Sequence, residues 1–116
     1  MAMSLLAISV DGSDIARLVE FWAEALERPV NPGTTASSAA IETASGLPVV
    51  FHKVPEGKVV KNRLHLDLAT SDYEVETDRL IELGAVKLNE FEQGGSRWTT
   101  FADPEGNEFD LIATAP

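Results

Sequence analysis

The sequence contains no cysteine, only nine lysine and arginine residues, and no long hydrophobic run. Without cysteine, the chain cannot form a disulfide framework, a thiolate metal site or a cysteine nucleophile, and it is compatible with a reducing compartment. No apolar stretch approaches the roughly 20 residues of a membrane-spanning helix, and residues 1–10 lack the basic residues and the cleavage site of a secretion signal. These absences predict a cytoplasmic protein that does not enter membranes.

The charge balance is strongly acidic, because 19 Asp and Glu residues give a formal net charge of −10. Nucleic acids and anionic membrane surfaces require a basic stripe on their protein partners. The one locally basic stretch contains Lys53, Lys58, Lys61 and Arg63, and a solvated linker edge is its ordinary explanation. We therefore expect no nucleic-acid or membrane partner.

An internal repeat organises the chain, whose 44% hydrophobic content is sufficient for one core. LLAISVDGSD at 5–14 is similar to RLHLDLATSD at 63–72, and both segments alternate like strands and end in Ser-Asp. A helix is predicted after each segment. In the first, apolar residues recur at three- and four-residue steps over 14–26. In the second, Ser71 and Glu74 form a capping box, and the helix ends at a glycine.

Short β-prone segments follow each helix. A strand near 29–34 is also predicted, although two prolines and a glycine interrupt it. The order is then β-α-β-β-β twice, which gives one domain made of two modules, 1–54 and 62–116, with a linker at 55–61. The remaining predicted strands are 38–43 and 48–54 in the first module, and 85–91, 96–102 and 107–113 in the second.

Strand alternation assigns an apolar and a polar face to each predicted sheet, since residues two apart share a face. The apolar rows, which the helices should cover, are Leu6, Ile8 and Val10 in the first module and Leu64, Leu66 and Leu68 in the second. On the opposite faces the same parity places Ala7, His52, His65, Asp67 and Asp110. Both histidines of the chain are therefore predicted to lie on the faces that the helices leave free.

Three segments resemble the vicinal oxygen chelate superfamily, which includes glyoxalase I, extradiol dioxygenases, and the bleomycin and fosfomycin resistance proteins. They are DPEGNEFDLI at 103–112, FHKVPEGKVVKNRLHLDL at 51–68 and the helix DIARLVEFWAEAL at 14–26. The resemblance implies an α+β fold in which two βαβββ modules form curled mixed sheets that make a cup. It also implies a homodimer, because members of this superfamily often bury their sheet edges and apolar faces in this way.

The resemblance also implies a metal-ligand set. In the metal-using members the ligands come from the first and last strand of each module, and these positions fall on His65 and Asp110 in the second module. The equivalents in the first module are Ala7, which cannot bind a metal, and His52. Glutamate is more usual at the position of Asp110. Two histidines and a carboxylate suit Fe(II), and the same set can hold Mn, Ni, Co or Zn.

Other residues on the polar faces have open roles. Asp67 shares a face with His65 and is predicted to orient that ligand or to act as a general base, while a hydrogen-bonded strand carboxylate is its ordinary interpretation. Ala7, Ser9 and Trp98 are predicted to line the substrate pocket. A mixed aromatic and polar wall suits a small apolar ligand.

Two functions follow from these expectations. One is a metal-dependent enzyme of the glyoxalase or dioxygenase type, a lyase or isomerase among the possibilities, acting on a small molecule with vicinal oxygens. The other is a metal-free protein of the same fold that binds a drug or metabolite, which the alanine at position 7 favours. A metal-free enzyme that uses Asp67 or His65 for proton transfer is not distinguished from the second.

Overall fold

The computed structural model describes residues 3–115, which contain two helices and seven strands. The chain divides into two compact units, the first up to Gly57 and the second from Lys58. The mixed α+β class predicted from the sequence is confirmed. In chain order the elements are β1 (Ile8–Gly12), α1 (Ile15–Leu26), β2 (Ser38–Glu42), β3 (Pro48–Lys53), β4 (Leu66–Thr70), α2 (Tyr73–Leu83), β5 (Val86–Gln93), β6 (Ser96–Ala102) and β7 (Glu108–Ala113).

The first unit is a three-stranded sheet in the order β1-β3-β2, with β1 parallel and β2 antiparallel to β3. Helix α1 begins after Asp14, whose carboxylate accepts a hydrogen bond from the backbone N–H of Arg17 at 3.2 Å. The helix packs on β2 and β3. Its periodic apolar residues form the core with the inward side chains of these strands. The buried residues are Ile15, Leu18, Val19, Phe21, Trp22, Ala25, Ala39, Ile41, Val49 and Phe51.

The strand predicted near 29–34 is wrong. Within this stretch the structure has only an isolated bridge between Val30 and Ile41. Pro29 and Pro32 have no N–H to donate to a ladder, and Gly33 adopts a φ of +94°, which is outside the strand region. The first unit therefore has three described strands where the sequence predicts four.

The second unit is a four-stranded sheet in the order β4-β7-β6-β5, in which β4 and β7 are parallel and the other pairs are antiparallel. Gly94 and Gly95 join β5 to β6 with φ values of +59° and +81°, as a two-residue hairpin turn of type I′ requires. Helix α2 packs against β7. The core on the side of the sheet that faces α2 contains Leu80, Thr99, Phe101, Phe109 and Leu111.

Two local predictions are corrected. The N-cap of α2 is Asp72 rather than Ser71, and its side chain makes no capping hydrogen bond. The predicted apolar rows also begin too early, because Leu6 and Leu64 are 84% and 90% exposed. Both lie before the first paired residue of their strand, so alternation no longer directs them toward a core. No helix in residues 3–115 has the length and apolar character to cross a membrane.

Candidate metal centre

A row of polar residues crosses the sheet of the second unit. The parallel register pairs Asp67 of β4 with Asp110 of β7, and the antiparallel register pairs Asp110 with Thr100 of β6. Directly paired residues project from the same face of a sheet. The row therefore lies on the face opposite the buried Phe109 and Leu111.

His65 lies one residue before β4 and joins this row. Its Nδ1 is 2.8 Å from Oδ1 of Asp67 and 3.8 Å from Oδ2 of Asp110. One donor atom from each of the three residues lies within 4.8 Å of the others. Two ligand atoms that each bind an ion at about 2.1 Å are at most about 4.2 Å apart. The two separations from His65 therefore fit a shared ion, and we call His65, Asp67 and Asp110 the HDD cluster.

Asp110 is the better-anchored carboxylate of the HDD cluster. Thr100 donates from Oγ1 to Oδ1 of Asp110 at 2.6 Å, and only 15% of the Asp110 side chain is exposed. This bond occupies one carboxylate oxygen and leaves Oδ2 as the oxygen near His65. Aspartate reaches less far than the more usual glutamate. Its reach is sufficient here, because His65 directly precedes β4 and Asp110 lies on the neighbouring strand β7.

The contact between His65 and Asp67 allows two arrangements of an ion. With a proton on Nδ1, His65 donates to Asp67 and presents Nε2 as the ligand atom, so that the carboxylate orients the ring. With the proton on Nε2, Nδ1 is the ligand atom and Asp67 binds beside it. The side chains of His65 and Asp67 are 42% and 50% exposed, so a ligand from solution can reach both.

An aromatic surface borders the polar row on the same face. Trp98 pairs with Phe91 of β5 and with Ile112 of β7, one alternation step from Thr100 and Asp110. The rings of Phe91 and Trp98 are stacked, with centroids 5.2 Å apart and planes inclined by 17°. The structure thus places Trp98 on the face that carries the HDD cluster.

The other predicted site residues lie in the first unit. Ala7 precedes β1, Ser9 lies on β1, and His52 lies on β3, where it pairs in register with Asp11 and Ser38. Because Ser9 pairs with Val50, alternation puts Ser9 and His52 on one face of that sheet. The HDD cluster forms within the second unit without these three residues.

Two groups with shifted pKa values lie on the face of β5 and β6 that is opposite the HDD cluster. The hydrogen bond from Arg97 to Glu74 raises the pKa of the guanidinium above its ordinary value, and the hydrogen bond with Lys87 lowers the pKa of Glu90. Both shifted groups are exposed, where ion pairs contribute little to stability. Their positions separate them from the HDD cluster.

Sequence reasoning found the three members of the HDD cluster but missed Thr100 and Asn62. Thr100 reads as an ordinary strand residue, and its role depends on the β6–β7 register, which single-strand alternation does not reveal. Asn62 bonds the backbone of Glu108 from a segment outside any strand. Its signal in the sequence is only that it precedes the strand by a few residues.

The sequence matches one family model. Residues 7–112 match the model described as a glyoxalase-like domain. No curated protein matches the sequence. The family match covers both units and includes all three residues of the HDD cluster.

Solved structures of the same fold are similar over nearly the whole chain. A variant of the fosfomycin resistance protein FosX from Listeria monocytogenes, complexed with Mn(II) and 1S,2S-dihydroxypropylphosphonic acid, has a TM-score of 0.83 at 17% identity, covering 99% of this chain and 93% of that chain. FosX from Mesorhizobium loti has a TM-score of 0.77 at 14% identity, covering 99% and 95%. The oxidase ChaP-H2 has a TM-score of 0.75 at 18% identity, covering 98% and 95%. The chain thus belongs to the glyoxalase-like family of the vicinal oxygen chelate superfamily.

Proposed function

We propose that this protein is a small-molecule enzyme of the glyoxalase or dioxygenase type, with a divalent metal held by His65 and Asp110. The observation that supports it most is the convergence of three nitrogen and oxygen donors within 4.8 Å on one sheet face. Imidazole and carboxylate donors without thiolate suit Fe, Mn, Ni, Co and Zn. The Mn(II) complex of the similar FosX makes manganese the first ion to test.

The residues around the proposed ion have separable tasks. A divalent ion in this place would supply Lewis acidity toward two vicinal oxygens of a substrate. Thr100 holds Asp110, and Asp67 orients His65 or accepts a proton from the bound substrate. Trp98, stacked with Phe91, offers an apolar surface for the carbon skeleton of the substrate.

The residues of the first unit remain part of the proposal. We infer His52 as a further protein ligand and Ala7 as pocket lining from the superfamily pattern, and Ser9 as pocket lining because it shares a sheet face with His52. His52→Gln tests the first assignment. A fall in metal affinity supports ligation by His52, and an unchanged affinity refutes it.

We also propose that the chain forms two modules, 1–54 and 62–116, joined at 55–61, and works as a homodimer in the cytoplasm. The exposed edge strand β5 supports the dimer, because Val86, Leu88 and Phe91 on it are large, apolar and exposed. Sedimentation equilibrium tests the dimer directly. A monomer at micromolar concentration would refute it.

The proposed metal binding is tested with protein that has never been exposed to a nickel column. Calorimetric titration of the metal-free protein with Mn, Fe, Co, Ni and Zn should show one ion bound per chain at micromolar affinity or tighter. His65→Ala and Asp110→Ala should abolish this binding, while Asp78→Ala, which removes an exposed carboxylate from α2, should not change it. Failure of every ion to bind the unaltered protein would refute the proposal.

The alternative is a metal-free protein that binds a drug or metabolite. Two observations favour it: the superfamily pattern puts Ala7 at a ligand position, and Asp67 satisfies Nδ1 of His65 without an ion. In that case the small molecule binds equally well with and without a chelator. Binding that disappears on chelation and returns with metal excludes this alternative.

A further inference from the structure

Just before β4, the side-chain amide of Asn62 takes the place of a main-chain hydrogen-bonding partner for β7. The N–H of Glu108 donates to Oδ1 of Asn62 at 3.0 Å, and Nδ2 of Asn62 donates to the carbonyl of Glu108 at 3.3 Å. A carboxamide offers one acceptor and two donors, so it can pair with a peptide group as another strand residue would. Nδ2 also donates to the carbonyl of Leu64. We call these three bonds the Asn62 clasp.

The clasp matters because His65 lies outside the ladder. The β4–β7 register begins at Leu66 and Phe109, and residues 63–65 belong to no strand. His65 is therefore held on its C-terminal side by β4 and on its N-terminal side by the clasp. A charged contact reinforces this attachment, since Lys61 pairs with the carboxylate of Glu108.

The clasp also links the two proposed ligands. Glu108 lies two residues before Asp110 on β7, so bonds to its backbone tie the segment carrying His65 to the strand carrying Asp110. Asn62 and Glu108 are both half-buried. Loss of the amide would free residues 62–65 to move while the β4–β7 ladder stays in place.

We propose that Asn62 is a positioning residue for the metal centre, which fixes His65 relative to Asp67 and Asp110 without touching the ion. This inference rests on the proposed function. Outer-shell residues that orient metal ligands typically change affinity by about 10- to 100-fold when they are removed. Because water can replace part of the clasp, we expect the lower end of this range.

The test compares Asn62→Ala with Asn107→Ala. Asn107 donates from Nδ2 to Asp103 at 3.1 Å in the turn before β7, so its loss also removes a side-chain amide hydrogen bond, but one that is not part of the Asn62 clasp. Calorimetry with Mn(II) should give about tenfold weaker binding for Asn62→Ala. Asn107→Ala should remain close to the unaltered protein. Equal affinities for all three proteins would overturn the inference.

A metal-free readout separates this inference from the proposed function. The chain has two histidines, so His52→Gln assigns the ring signals of His65 in ¹⁵N NMR spectra. We expect one ring tautomer in the unaltered protein, a mixture in Asn62→Ala, and faster amide exchange at Glu108. No Mn(II) binding by the unaltered protein would refute the metal site alone. An unchanged ring tautomer in Asn62→Ala would refute the positioning role.

A second variant covers the case in which Asn62→Ala does not fold. Asn62→Gln keeps the carboxamide but lengthens its stem, so it shifts the segment rather than releasing it. The same loss of Mn(II) affinity and the same change in the His65 ring signals are expected. Affinity and ring signals equal to those of the unaltered protein would overturn the inference.

Discussion

Asp67 and Asp110 face each other in register, yet their surroundings differ. Asp110 is mostly buried and accepts a hydrogen bond from Thr100, whereas Asp67 is half-exposed and contacts His65. A held carboxylate suits a permanent ligand, and an accessible one suits the orientation of a ligand or the transfer of a proton. These differences allow the two roles to be tested by substitution.

Asp67→Asn separates orientation from proton transfer. Asparagine keeps an oxygen that can accept from Nδ1–H of His65, but it cannot act as a base near neutral pH. If Asp67 orients His65, Mn(II) affinity survives in Asp67→Asn and falls about tenfold in Asp67→Ala. If Asp67 is also the base, turnover of a substrate is lost in both variants. Equal Mn(II) affinity in both variants would contradict an orienting role.

Thr100→Val removes the hydroxyl that holds Asp110 while preserving the branched shape of the side chain. Removal of one hydrogen bond to a charged group should cost about 1.5–3 kcal/mol where the group remains charged and partly buried. In the metal-free protein this lowers the free energy of unfolding, which urea denaturation measures. Metal affinity should also fall several-fold. Thr114→Val, at the exposed residue after β7, is the control and should change neither quantity.

Single-strand alternation correctly groups His65 with Asp67 and separates Asp110 from Phe109. This works because parity is a local property of the chain. The contribution of Thr100 depends on which residues of β6 and β7 are paired, and the contribution of Asn62 depends on a segment without regular structure. Neither is a local property, so neither is predicted from the sequence.

Among the elements, α1 and α2 begin in different ways. Asp14 caps α1 through a side-chain hydrogen bond, whereas Asp72 at the start of α2 makes no such bond. The sequence predicts the first helix from its apolar spacing and the second from a capping box and a terminal glycine, but it places the second cap at Ser71. Both Ser and Asp are favourable N-cap residues, so adjacent candidates cannot be ranked without the backbone conformation.

This difference predicts unequal costs for two matched substitutions. Asp14→Ala should destabilise the protein by about 1 kcal/mol, because a backbone N–H at the helix start loses its acceptor. Asp72→Ala should cost less than half of that, since it removes only a negative charge near the helix N-terminus. Chemical denaturation of the two variants measures both costs. A larger loss for Asp72→Ala would contradict the assignment of the caps.

For the molecule as a whole, the repeat predicts two similar halves, and the structure shows two units with the same strand–helix start. The halves differ where local chemistry overrides the repeat. Two prolines and a glycine eliminate the predicted strand near 29–34, and within residues 3–115 only the second half brings three metal-ligand side chains together. Duplication therefore predicts the architecture better than it predicts the site.

Metal binding should also change the stability of the whole protein. An ion that binds only the folded chain adds about 2.7 kcal/mol at a free concentration of 100 times its Kd. Thermal unfolding with and without Mn(II) should therefore differ by several degrees, and a chelator should reverse the difference. His65→Ala should show no such dependence. A chelator effect of equal size in His65→Ala would mean that the ion binds elsewhere.

The most direct measurement is anomalous diffraction from crystals loaded with Mn(II), recorded on both sides of the metal absorption edge. We predict one peak per chain, within about 2.0–2.3 Å of a ring nitrogen of His65 and of a carboxylate oxygen of Asp110. A chain without a peak, or with its peak remote from these two residues, would contradict the assignment of the metal centre.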